Sequence, residues 1–273
     1  MDIPQFNVHA ALEEKHWWFT SRRTLLEKIL EKIVPPQGNI VDVGCGTGAN
    51  TAAFAAHYSC IGIDPIPEAI RSAQARFPSV AYRTGLAPKD CPEIKDADAV
   101  LLLDVLEHIE DDFYFISELL STMKPDAYLV MMAPADPHLW STHDRGFDHY
   151  RRYSTDRFKL LWKDLPVQEV LVTHWNTKLY WPIRIVRQIL RYTGLSIGSA
   201  DTDLSLPSRP LNAFLKGLVS SEDAKILKEL EGQGKGCAHG VSILGIIQKT
   251  TDSVVPRKRP RTLDADITPW NKI

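Results

Sequence analysis

Short apolar runs alternate with amphipathic stretches along the first half of the chain. NIVDVG (39–44), CIGIDP (60–65), SVAYRT (79–84), ADAVLLLDV (97–105) and AYLVMMAPA (127–135) read as strands. NTAAFAAHY, PEAIRSAQARF and DDFYFISELLSTM, which lie between them, carry helical spacing. The fourth strand is apolar at almost every position, as expected of a parallel strand covered on both faces. Such alternation predicts an α/β fold, a doubly wound parallel sheet whose ligands sit beyond the carboxyl ends of its strands.

Beyond Pro134 the pattern changes. WSTHDRGFDHYRRYS (140–154) is polar, aromatic and basic, and reads as an ordered loop. VQEVLVTHW (167–175) and VSILGIIQK (241–249) add two strands, making seven. Between them, KLYWPIRIVRQILRYTGL and SEDAKILKELEG read as helical pieces joined by the Pro/Ser/Asp-rich DTDLSLPSRP. An insertion of this length is expected to cap a site. The predicted organisation is an N-terminal helical lid (1–38), a core (39–175 and 241–249), a helical cap insertion (176–240) and a flexible tail or linker (250–273).

Composition is that of an ordinary globular protein, with 44% hydrophobic and 24% charged residues among 273. The net charge of −2 argues against nucleic acid as a partner, although RKRPR (257–261) is a local basic patch. No apolar run approaches the roughly 18 residues of a membrane-spanning helix, and the opening MDIPQFNVHAALEEK lacks the basic-then-apolar order of a signal peptide. Cys45, Cys60, Cys91 and Cys237 lie far apart, with no CxxC or Cys/His cluster. Neither a metal site nor a disulfide framework is expected, and a reducing cytoplasm is the expected compartment.

Candidate chemistry begins at VDVGCGTGAN (41–50). Gly44, Gly46 and Gly48 follow a strand and open a helix, where glycine permits positive φ and close backbone approach to a ligand. Asp64 ends the next strand, 20 residues after Gly44, placed to accept both hydroxyls of a ribose. Gly44, Gly46 and Ala49 also satisfy the dinucleotide pattern G-x-G-x-x-G/A, so a nicotinamide-dependent oxidoreductase is an alternative. Asp42 favours a different ligand. A carboxylate inside the first strand is costly unless paired, and it suits a cation such as S-adenosylmethionine.

With DVLEHI (104–109) running on from the fourth strand, the sequence resembles the class I S-adenosylmethionine-dependent methyltransferases. VDVGCGTG is similar to their first motif, and GIDP to their ribose-binding motif. The resemblance implies a seven-stranded Rossmann-like sheet with its last strand antiparallel and a helical cap. It places Gly44, Cys45, Gly46 and Gly48 along the methionine and ribose portions of the cofactor, with Asp42 near its polar groups. Asp64 would bind the ribose, and Pro65, Ile66, Leu86 and Ala87 would line the adenine pocket. Asp104 and Leu106 would flank the methionine part, with His108 nearby.

Two further segments extend the resemblance to a bacterial small-molecule subgroup. EEKHWWFTSRR (13–23) is similar to its WWFxxRR opening, which implies a lid in which Trp18 and Arg22 cover the donor and an arginine pairs the methionine carboxylate. A plain amphipathic helix with solvated arginines is the other reading. The second segment, HDRGFDHYRRY (143–153), is similar to that subgroup's loop after the fifth strand. If the acceptor is a hydroxyl, a base helps by about 10²–10⁴ in rate, and His143 and His149 are the candidates, with Asp144 able to orient an imidazole. If it is a carboxylate, Arg151 or Arg152 would bind the anion. A structural network under the cap carries equal weight.

Arg184, Arg187 and Arg191 share a face of a predicted basic amphipathic helix, which can lie on a membrane surface or receive an amphipathic substrate, although cap packing is commoner. The expected function is methyl transfer from S-adenosylmethionine, with S-adenosylhomocysteine as product, to oxygen of a small or medium-sized acceptor. A peptide terminus is a further candidate acceptor, and the sequence leaves the oligomeric state open.

Overall fold

The computed structural model describes residues 10–193, 205–251 and 253–260. In chain order the elements are α1 (Trp17–Ile33), β1 (Asn39–Val43), α2 (Ala49–Phe54), β2 (Ser59–Asp64), α3 (Pro67–Arg76), β3 (Ala81–Thr84) and β4 (Ala99–Leu103). They continue with α4 (Asp112–Thr122), β5 (Tyr128–Pro134), α5 (Thr142–Gly146), α6 (Thr155–Lys159), β6 (Val167–Trp175), α7 (Tyr180–Thr193), α8 (Arg209–Ser220), α9 (Asp223–Leu230) and β7 (Ser242–Lys249). The seven strands form one sheet in the order β3-β2-β1-β4-β5-β7-β6. β7 runs antiparallel to β5 and to β6, while the pairings from β3 to β5 are parallel.

Period-two alternation divides the core into two layers. Val41, Val43, Val100, Leu102, Leu129 and Met131 face one way, against Phe113, Ile116 and Leu120 of α4. Ile40, Ala99, Leu101, Val130 and Met132 face the other way, against Leu25, Leu26, Ile29 and Leu30 of α1. All four of these α1 side chains are fully buried, so α1 is part of the sheet's cover. Truncating one of them to Ala costs about 2–5 kcal/mol by the usual cavity term. The His16 ring caps α1, accepting from the Trp18 N–H at 3.3 Å.

Two helices, α5 and α8, are absent from the sequence reading. The 140–154 segment contains helix α5, because Ser141 and Asp144 close a capping box in which Asp144 Oδ2 accepts the Ser141 N–H at 2.8 Å. α8 begins with proline in its first turn, where a missing N–H costs nothing. α8 also secures the N-terminal segment. The Asn212 side chain accepts from Trp17 N and donates to the Lys15 carbonyl, both at 2.9 Å.

The insertion is tied to the core by an ion pair and a hydrogen bond. Arg184 donates to Asp136 Oδ2 at 2.7 Å and Arg187 to the Leu139 carbonyl, so these two arginines join α7 to the loop after β5. The side chain of Arg191 lies outside the described residues, as do parts of DTDLSLPSRP and of the tail. Among the described residues, no helix is long and apolar enough to cross a membrane.

Candidate active site

A cavity of about 1120 Å³ opens beyond the carboxyl ends of β1, β2 and β4, roofed by α1 and α7. Its floor at one end is the turn after β1. Gly44 and Gly46 take φ values of 71° and 54°, where a side chain is strained. A Cβ on Gly46 would meet nothing within 4 Å, so this stretch of backbone lies open to a ligand. Gly48 serves a different purpose. A Cβ there would fall 2.7 Å from Tyr82 Oη and 2.8 Å from Ala73 Cβ, so its glycine allows close packing and does not line the cavity.

Asp64 holds the turn. Its carboxylate accepts the Gly46 N–H at 3.0 Å and the Ile66 N–H at 2.9 Å. Burial raises its pKa, and these two donors act against that rise. Cys45, Pro65, Ile66, Leu86 and Ala87 line the same end.

Asp42 does not line the cavity, contrary to the sequence reading. Neighbouring β1 side chains point to opposite faces, and Asp42 turns toward α2, accepting from Thr51 Oγ1 at 2.6 Å. Burial pushes its carboxyl up to about 6. Leu106 is likewise fully buried and lies outside the wall, although its carbonyl accepts the Tyr153 hydroxyl at 3.0 Å.

Arg22 pairs with Asp104 across the cavity wall, and its guanidinium carbon sits 4.3 Å from the centre of the Trp18 ring. Trp18, Arg22 and Asp104 all line the cavity, and buried Arg22 Nε has no hydrogen-bond partner. Asp104 takes φ 59°, a left-handed conformation that aspartate tolerates better than most side chains.

At the other end lie His108, His143, His149 and Arg152. His149 Nδ1 is 3.0 Å from Asp144 Oδ1, the same oxygen that accepts from Arg152 Nε at 2.8 Å. Burial alone would raise the Asp144 pKa. Arg152 and His149 outweigh it and hold the carboxyl well below the usual range. Burial lowers His143 to about 3, so at neutral pH it is an uncharged imidazole and a poor proton acceptor. His108 is also lowered to about 3, by burial and then by neighbouring His149.

Arg151 is absent from this wall. It donates to the Glu110 carbonyl at 2.8 Å and lies 3.2 Å from Asp112 Oδ2, in a buried network with Tyr153 and Arg157. The consecutive arginines point to opposite sides of an extended backbone.

Sequence reasoning missed several wall residues. Glu107 is fully buried, lines the cavity and has both carboxylate oxygens without a hydrogen-bond partner. Burial and then the Asp104 charge push its pKa well above the usual range. The available signal was a glutamate directly before His108 at a strand end. Glu13 also lines the cavity and accepts from Thr47 Oγ1 at 2.6 Å. Ile183, Val186 and Leu190 of α7 make the opposite wall apolar.

The profile of the family described as "Methyltransferase domain" matches residues 15–177. Norajmaline N-methyltransferase of Rauvolfia serpentina is 31% identical over 113 residues, 37% of this chain and 37% of that one. The 2-methyl-6-phytyl-1,4-hydroquinone methyltransferase of Synechocystis is 27% identical over 195 residues, 68% of this chain and 56% of that one. The aligned part of the chain thus spans between 37% and 56% of the length of these relatives. Among solved structures, the YcgJ protein of Bacillus subtilis superposes with a TM-score of 0.53 at 17% identity, covering 84% of this chain and 98% of that one. A protein solved in complex with the Haloferax volcanii Trm112 methyltransferase activator gives 0.55 at 14% identity over 90% and 98%. At these identities the likeness is one of fold.

Proposed function

The chain belongs to the methyltransferase-domain family, and we propose that it moves a methyl group from S-adenosylmethionine to a hydroxyl oxygen of a small or medium-sized acceptor. The observation that carries this reading is one continuous cavity joining the Gly46–Asp64 turn to His149 and Arg152.

The residues at the first end fit the donor. Gly46 leaves its backbone uncovered, and Asp64 offers a buried carboxylate for ribose hydroxyls. Pro65, Ile66, Leu86 and Ala87 would hold adenine. Asp104 and Arg22 would hold the amino and carboxylate groups of the methionine part. A dinucleotide fits less well, because its doubly anionic pyrophosphate would face the carboxylates of Asp64 and Asp104 in one cleft. Bound there, S-adenosylmethionine supplies a methyl carbon already activated by its sulfonium.

The chain's own residues then have to align and deprotonate the acceptor. Holding two reactants in register contributes about 7–11 kcal/mol. Asp144 engages His149 Nδ1, which leaves Nε2 as the ring atom able to receive a proton. A hydroxyl suits this end better than a carboxylate. Arg152 is committed to Asp144 and to the Ala135 carbonyl, and Arg151 is turned away, so neither arginine is held ready for a substrate anion.

Relatives support a small acceptor. One relative is the hydroquinone methyltransferase of Synechocystis, and another is the ubiquinone biosynthesis O-methyltransferase of Rickettsia canadensis. The four cysteines are free, which supports a reducing compartment such as the cytoplasm.

The test is incubation with methyl-labelled S-adenosylmethionine and matched panels of hydroxyl, amine and carboxylate acceptors. Label on hydroxyl acceptors, with release of S-adenosylhomocysteine, is expected. Label confined to amines or carboxylates overturns the assignment to hydroxyl oxygen.

A further inference from the structure

Glu107 poses a problem that methyl transfer alone does not solve. A fully buried carboxyl that no other side chain hydrogen-bonds is costly, because its own main-chain N–H and the Arg22 charge offset only part of the desolvation. The nearby guanidinium groups pair with other carboxylates, Arg22 with Asp104 and Arg152 with Asp144, although the Arg22 charge still acts on Glu107. What does face Glu107 is a pair of imidazoles. One ligand atom from each of Glu107, His108 and His149 lies within 4.8 Å of the others. The His108 and His149 ring centres are 4.7 Å apart.

Each imidazole is already oriented through one nitrogen. His149 Nδ1 is 3.0 Å from Asp144 Oδ1, and His108 is hydrogen-bonded to the main chain of Phe147. In metal centres the ligating histidines are held this way, with one ring nitrogen on a carboxylate or carbonyl and the other on the ion. The two segments are also fastened together, since the Tyr150 N–H donates to the Glu107 carbonyl at 2.7 Å.

We propose that Glu107, His108 and His149 form a binding site for a divalent transition-metal cation at the acceptor end of the cavity. Two imidazole nitrogens and one carboxylate suit zinc, cobalt, iron or manganese better than magnesium or calcium, which prefer oxygen ligands. Ligand bonds of about 2.0–2.2 Å place donor atoms roughly 3–3.5 Å apart, so modest side-chain rotation closes the set around an ion. The ion would satisfy Glu107, and three protein ligands leave coordination positions free. All three residues line the cavity, so those positions are available to an acceptor oxygen. The inference rests on the methyl-transfer reading for what the ion would do. In the loaded site the cation, in place of a free His149 ring, would lower the pKa of the hydroxyl.

The test uses the full chain stripped with a chelator and titrated with Co²⁺, following the visible d–d bands and equilibrium dialysis. Binding of one equivalent is expected, weakened about tenfold or more in the near-isosteric Glu107→Gln and in His149→Ala. A second measurement needs no variant. In the wild type, Mn²⁺ should broaden the ring proton resonances of His108 and His149 and leave those of exposed His57 sharp. No saturable Co²⁺ binding, equal binding by wild type and both variants, or broadening that spares His108 and His149 overturns the proposal. S-adenosylhomocysteine binding by the stripped wild type keeps the two readings apart. If it persists while Co²⁺ fails to bind, only the metal site falls.

Discussion

His149 meets Asp144 twice, through Nδ1 to a carboxylate oxygen at 3.0 Å and through its main-chain N–H to the Asp144 carbonyl at 2.9 Å. The imidazole and its carboxylate are therefore locked in position and in tautomer, with Arg152 sharing the same oxygen. Asp144→Asn should lower kcat about 10²-fold or more while leaving the affinity for S-adenosylhomocysteine near that of the wild type. Steady-state kinetics beside a binding titration checks this. An unchanged kcat removes His149 and Asp144 from the reaction.

Asp112 organises the opposite side of the same loop. It is fully buried and receives Arg157 Nη2 at 2.7 Å, the Tyr153 hydroxyl at 2.8 Å and Arg151 at 3.2 Å. Asp112→Ala takes the carboxylate away from two buried guanidinium groups. A loss of about 3–5 kcal/mol, or roughly 6–20 °C in Tm, is expected in a thermal melt. None of these four side chains lines the cavity, so folded variant should keep its S-adenosylhomocysteine affinity.

Asp42 gives a pH signature. Burial raises its pKa from 3.8 in the unfolded chain to about 6. The unfolded state therefore releases its proton first as pH rises, and stability due to this group is present below pH 4 and lost by pH 6. At 1.36 kcal/mol per pH unit the change is about 3 kcal/mol. Asp42→Asn does not titrate and keeps an acceptor for Thr51 Oγ1. Its denaturant-derived stability should therefore gain on the wild type by about that amount between pH 4 and pH 6. A constant difference between the two proteins would contradict the burial argument.

The sheet was legible because β4 and its neighbours are apolar runs of strand length, and because glycine and aspartate mark the ends of β1 and β2. Asp64, Asp104 and His108 sit at or beyond strand ends, where topology alone directs them to the cleft. Asp42 and Arg151 show where sequence falls short. Each is one residue from a group that does line the cavity, Val43 and Arg152, and which of two neighbours faces inward depends on strand phase. Glu107 and His149 are 42 positions apart, so no ligand spacing along the chain could reveal their meeting. Packing of the 140–154 loop against the turn after β4 creates it.

The central claim is that this cavity receives S-adenosylmethionine, and its direct test is calorimetric titration of S-adenosylhomocysteine into wild type and Asp64→Ala, with NAD as comparison. Saturable binding to one site is predicted for the wild type, weakened at least about tenfold, or 1.4 kcal/mol, by the substitution, with no heat from NAD. Absence of S-adenosylhomocysteine binding, or tighter binding of NAD, would contradict the account.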